Sequence, residues 1–93
     1  MSTLTTALAA SIETLDLPRE ALRQGMDLVD LLVTTRLAND RSDARHLIRS
    51  AKARMNGRVV AHEGVTAGLD DLDINGLLRL TAGDGTEMLV RAA

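Results

Sequence analysis

The chain has 93 residues, of which 45% are hydrophobic and 26% charged, with a formal net charge of −2. That is the size and balance of one small globular domain, with little room for a second core. Cysteine, Phe, Tyr and Trp are all absent, which excludes a disulfide framework, a thiolate zinc site and the aromatic platforms on which single-stranded bases stack.

Met1-Ser2-Thr3-Leu4 lacks the basic start and long apolar stretch of a signal peptide. Apolar runs are far shorter than the roughly 20 residues of a membrane span. These features predict a cytoplasmic protein with no membrane partner. Leu4, Leu8 and Ile12 share one helical face, so Leu4 to Ile12 reads as a short helix or a tail. Pro18 predicts a helical turn over Arg19 to Gln24, closed by Gly25. We take 1–25 as an N-terminal segment or linker and 26–93 as the domain.

Met26 to Arg36 is the first expected long helix. Leu28, Leu31, Leu32 and Thr35 form its buried face, widened by Val29 and Val33. Asp27 and Arg36 suit its two dipole ends. The turn that follows, Arg36 to Arg41, should tuck Leu37 under it. Ser42 is the expected N-cap of a second helix. Ala44, Leu47, Ile48 and Ala51 are its apolar stripe, while Arg45, Arg49 and Lys52 lie on another.

Beyond Ala53 the period changes. Met55 and Val59 flank Asn56-Gly57, a two-residue hairpin signal. Ala61 to Asn75 reads as mostly irregular and acidic. Leu77–Ala82 and Glu87–Arg91 read as strands joined by Gly83-Asp84-Gly85, with Leu78, Leu80, Met88 and Val90 inward and Arg79, Thr81, Glu87 and Arg91 outward. The result is an α+β fold: two packed helices against a small antiparallel sheet, with a short N-terminal helical segment.

Charge is the most uneven property. Between Arg41 and Arg58 stand Arg41, Arg45, Arg49, Lys52, Arg54 and Arg58 against one acid, Asp43, for a local charge of +5. The other 75 residues hold 12 of the 13 acids and carry −7. Late cations on a helix also complement its dipole. Here they continue beyond the helix, as a polyanion-binding face would. Arg and Lys would neutralise phosphates and release counterions, and the helix start at Ser42 would offer N–H groups to a phosphate. Asn56 is first a turn residue and secondarily a contact. His46 and His62 lack the partners of a metal site, so no metal is expected. Asp70, Asp71 and Asp73 lack the spacing of a calcium loop. Met26, Met55 and Met88 read as core filler. No catalytic constellation and no cofactor are predicted.

Arg41-Ser42-Asp43-Ala44-Arg45-His46-Leu47-Ile48 followed by Met55-Asn56-Gly57-Arg58-Val59-Val60 resembles the αL RNA-binding motif of S-four-like domains. Leu28 to Val33 and the Leu37-Ala38 turn fit the same pattern. Leu17-Pro18-Arg19-Glu20 and Gly76-Leu77-Leu78-Arg79-Leu80 narrow the resemblance to the C-terminal domain of bacterial tyrosyl-tRNA synthetases, over about Leu15 to Arg91. Two positions depart from it: Ala51 stands where the family commonly has glycine, and Ala53 where it has a larger apolar residue.

The resemblance implies a noncatalytic domain that grips tRNA near the anticodon stem and long variable arm. In that family, catalysis and homodimerisation belong to a separate nucleotide-binding domain. No His-x-Gly-His or Lys-Met-Ser-Lys-Ser stretch is present. The chain then reads as a fragment or split-off domain, monomeric alone. The expected RNA contacts are Arg41, Ser42, Arg45, Arg49, Lys52, Arg54, Asn56 and Arg58. The alternatives are a freestanding S-four-like ribosome- or rRNA-binding protein and a protein-interaction module.

Overall fold

The computed structural model describes residues 13–83 and 85–93. The expected helix or tail at Leu4 to Ile12 lies outside them. Chain order is β1 (Glu13–Leu17), α1 (Arg19–Arg23), β2 (Met26–Asp27), α2 (Leu28–Thr34), α3 (Arg41–Arg49), β3 (Ala53–Met55), β4 (Arg58–Val59), β5 (Thr66–Ala67), a 3-10 turn (Leu69–Asp71), β6 (Leu77–Ala82) and β7 (Thr86–Ala92). The α+β class is as expected.

Five strands form one sheet in the order β1-β7-β6-β3-β4. The β6–β7 hairpin sets Leu80 against Met88 and Leu78 against Val90. Alternation then buries Leu78, Leu80 and Val90 completely. Met88 stays half-buried, while Arg79 and Arg91 face solvent.

The expected all-antiparallel sheet is corrected at one edge, because β1 pairs parallel with β7. Its alternation, with Leu15 and Leu17 toward the core and Thr14 and Asp16 away, is that of a strand with one buried face. Asp16 and Arg91 are register partners. The Arg91 Nε and Nη2 groups donate to the two Asp16 oxygens at 2.8 and 3.0 Å. That charge-assisted bonding holds the Asp16 carboxyl below its ordinary value and raises Arg91. Leu17 of β1 and Leu22 of α1 enter the same core as the residues after position 25.

Helix α2 starts later than Met26, because Met26 and Asp27 are extended and pair with Ala67 and Thr66. This short ladder and the 3-10 turn are the regular pieces of the mostly irregular stretch Ala61 to Asn75. Asp27 becomes the N-cap, its carboxylate accepting from the Val29 N–H at 3.4 Å. Leu28, Val29, Leu31, Leu32 and Thr35 are buried as expected. The Thr35 hydroxyl bonds the carbonyls of Leu31 and Leu32, which satisfies its burial. Arg36 then takes a left-handed φ of 65° and ends the helix. In the following turn Ala38 is buried, whereas Leu37 is half-buried.

Helix α3 is capped by Asp40, a correction to Ser42. The Asp40 carboxylate accepts from the Asp43 N–H at 2.8 Å, and the Asp43 carboxylate accepts from the Asn39 N–H at 2.9 Å. The two carboxylates satisfy two backbone N–H groups at the helix start, those of Asp43 and Asn39, where one hydroxyl would satisfy one. Ser42 therefore lies inside the first turn, exposed.

Ala44 and Ile48 are buried and Leu47 half-buried, but Ala51 leaves the expected stripe for solvent. It has φ 60° and sits just past the helix end. The Ala51 N–H bonds the Ile48 carbonyl at 3.1 Å, and the Lys52 N–H bonds the Leu47 carbonyl at 2.8 Å. This is a Schellman closure with alanine where glycine is unstrained. Ala53 follows, fully buried.

Candidate nucleic-acid interface

The cations of the strip come from three local structures. Arg41, Arg45 and Arg49 lie on α3, Lys52 on the Schellman corner, and Arg54 and Arg58 on the β3–β4 hairpin. From Ala44 to His62 no acid interrupts them.

The three helical guanidinium groups are each engaged. Arg41 is ion-paired with Asp30 of α2. Arg45 and Arg49 converge on one carboxylate: Arg45 Nε lies 3.5 Å from Glu63 Oε1, and Arg49 Nε lies 2.5 Å from Glu63 Oε2. Spacing by four residues puts the two guanidinium groups on one helix face. The chain returning from β4 brings Glu63 up to it. All these side chains are at least one-third exposed, so water screens the pairs and each contributes little to stability.

Lys52, Arg54 and Arg58 differ. All three are exposed, and among the described residues none has a carboxylate within ion-pair reach. Register separates their directions. Arg54 pairs with Thr81 and Val59, on the face of the sheet opposite to that of Ala53 and Met55. Arg58 pairs with Met55 at the outer edge strand. The structure thus brings Arg45 and Arg49 to one point, holds Arg41 apart against Asp30 of α2, and spreads Lys52, Arg54 and Arg58 along the corner and hairpin.

Asn56 and Gly57 have φ of 54° and 85°, the left-handed pair of a two-residue hairpin turn. The Asn56 side chain is occupied within the protein. Its Oδ1 accepts from the Arg79 N–H at 3.0 Å, and its Nδ2 donates to the Asp71 carbonyl at 2.6 Å. It ties the hairpin to β6 and to the acidic loop. Ser42 has its hydroxyl in solvent, but Asp40 and Asp43 flank the helix start that was to receive a phosphate.

A cleft of about 720 Å³ separates the hairpin from the acidic loop and is lined by Arg58 and Arg79 as well as Asp70, Asp71 and Asp73. Asp71 accepts from the Gly68 N–H at 2.8 Å, and Asp73 accepts from the N–H groups of Asn75 and Leu77 at 2.8 and 3.0 Å. They serve as loop caps. No group of three metal-ligating side chains occurs among the described residues, and His46 and His62 are exposed. No helix among the described residues is long and apolar enough to cross a membrane. Sequence reasoning missed Glu63 and Asp30, whose proximity to the cations is set by tertiary folding and has no local signal.

No family model matches the chain. Curated relatives do. It is 32% identical over 87 residues to the tyrosine–tRNA ligase of Mesorhizobium japonicum, covering 94% of this chain and 21% of that protein. The match to the Rickettsia rickettsii tyrosine–tRNA ligase is 33% over 81 residues, 87% of this chain and 20% of the ligase. For the Gluconobacter oxydans tyrosine–tRNA ligase it is 33% over 82 residues, 88% and 20%. The chain spans about a fifth of the length of these relatives. Over nearly its whole length, this chain is similar to a domain-sized part of bacterial tyrosine–tRNA ligases that lacks their catalytic region.

Proposed function

We propose that the chain is a noncatalytic RNA-binding domain with the S-four-like fold, acting as the tRNA-binding C-terminal module of a tyrosine–tRNA ligase. The observation that carries this reading is the acid-free run from Ala44 to His62, with Arg45, Arg49, Lys52, Arg54 and Arg58 exposed or half-exposed along it. The similarity to tyrosine–tRNA ligases supports tRNA as the polyanion. Without aromatic side chains, binding rests on phosphates, ribose and helix shape. Lys52, Arg54 and Arg58 supply the ready contacts, Arg41, Arg45 and Arg49 the remainder, and Ser42 offers a hydroxyl. Asn56 acts by holding the hairpin in place. In the parent ligase the catalytic domain supplies the homodimer, and this domain alone is a monomer in the cytoplasm.

Titration of the chain with tyrosine tRNA at two salt concentrations tests this. About five or six phosphate contacts predict an affinity loss of about a hundredfold or more between roughly 50 and 200 mM salt. Absence of binding to any structured RNA at low salt would reject the reading and favour a protein partner.

A further inference from the structure

Two guanidinium groups share one carboxylate, with each oxygen of Glu63 facing a different arginine. A phosphodiester presents the same pair of negative oxygens on one centre, and Arg is the side chain suited to such planar recognition. We propose that Arg45 and Arg49 form a seat for one phosphodiester of a bound RNA and that Glu63 fills this seat in the free protein. The proposal rests on the RNA-binding reading for its ligand; the seat itself rests on the side-chain cluster.

Glu63 is suited to leave. Asp30 and Asp16, which hold Arg41 and Arg91, belong to α2 and β1. Glu63 lies in the loop between β4 and β5, followed by Gly64. Rotating its side chain out breaks no helix or sheet bond. The ion pairs it gives up are exposed and weak. An incoming phosphate therefore takes over a preassembled arginine pair, at the cost of displacing a like charge. Glu63 becomes a determinant of RNA affinity without touching RNA.

The test uses the full chain with Glu63→Gln, Arg45→Ala/Arg49→Ala, and the triple variant. Removing one competing charge at contact distance should tighten tRNA binding about fivefold and steepen the salt slope by about one. The gain should vanish in the Arg45→Ala/Arg49→Ala background. Unchanged or weakened binding by Glu63→Gln, or a gain that persists without the two arginines, overturns the proposal.

A second readout is independent of RNA. The Arg45 and Arg49 Nε–H resonances of Glu63→Gln should shift on titration with inorganic phosphate, and those of the parent should shift less. Resonances that respond equally in both proteins reject the seat. A chain that binds no RNA yet shows the phosphate difference refutes the RNA reading and keeps the seat.

Discussion

Helix α3 and the corner-and-hairpin segment behind it contribute equally to the positive strip by composition and differently by availability. Arg41, Arg45 and Arg49 each meet a carboxylate delivered by a distant part of the chain. Lys52, Arg54 and Arg58 meet none among the described residues. Counting charges along a sequence gives a field, but a contact depends on what already occupies each cation. A polyanion that binds the free set gains its charge–charge attraction outright, whereas at α3 it must first displace an internal anion.

The largest expected effect follows from this contrast. Lys52→Glu/Arg54→Glu/Arg58→Glu should weaken tRNA binding about a hundredfold at moderate salt. Arg41→Ala should weaken it by no more than about threefold, because its charge is already paired. Equal losses in the two variants, measured by titration, would erase the distinction between the regions.

Asn56→Ala tests whether the hairpin's geometry holds the free set in place. It removes two hydrogen bonds to β6 and the acidic loop and puts alanine at φ 54°. The expected loss is about 2 kcal/mol in denaturant unfolding. Stability within about 0.5 kcal/mol of the parent would mean that the turn forms without that bracing. Ala51→Gly acts at the corner between the regions. Relief of the left-handed alanine should stabilise the fold by about 0.5–1 kcal/mol and leave RNA affinity unchanged.

The smallest effect belongs to Asp16→Asn, a control far along the sheet. The folded-state value of Asp16 lies below its ordinary one. Its contribution is therefore present above the ordinary aspartate range and is lost as pH falls through the lower folded-state value. The parent should lose slightly more stability than Asp16→Asn on acidification below about pH 4. Identical acid unfolding profiles would show that the exposed Asp16–Arg91 pair contributes nothing.

Elements with a local periodic signal could be read before folding. The β6–β7 strands, the Asn56-Gly57 turn and the Ala44–Ile48 face all rest on patterns within about ten residues. Strands β2 and β5 are two residues each, too short for any period to register. Strand β1 shows alternation, but its partner lies 75 positions away, from Asp16 to Arg91. At the start of α3 two cap-competent residues, Asp40 and Ser42, stood two positions apart, and the bonds from the Asp43 N–H to Asp40 and from the Asn39 N–H to Asp43 chose the first. The basic strip was visible as composition. The acids that occupy half of it were hidden, because Glu63 reaches Arg49 across 14 positions and Asp30 reaches Arg41 across 11.

The most direct measurement of the central claim is the dependence of tRNA affinity on salt for the parent and for Lys52→Ala/Arg54→Ala/Arg58→Ala. Each lost phosphate contact lowers the slope of log affinity against log salt by roughly one, so the account predicts a decrease of about three. A slope equal to the parent's would show that these three cations touch no phosphate and would contradict it.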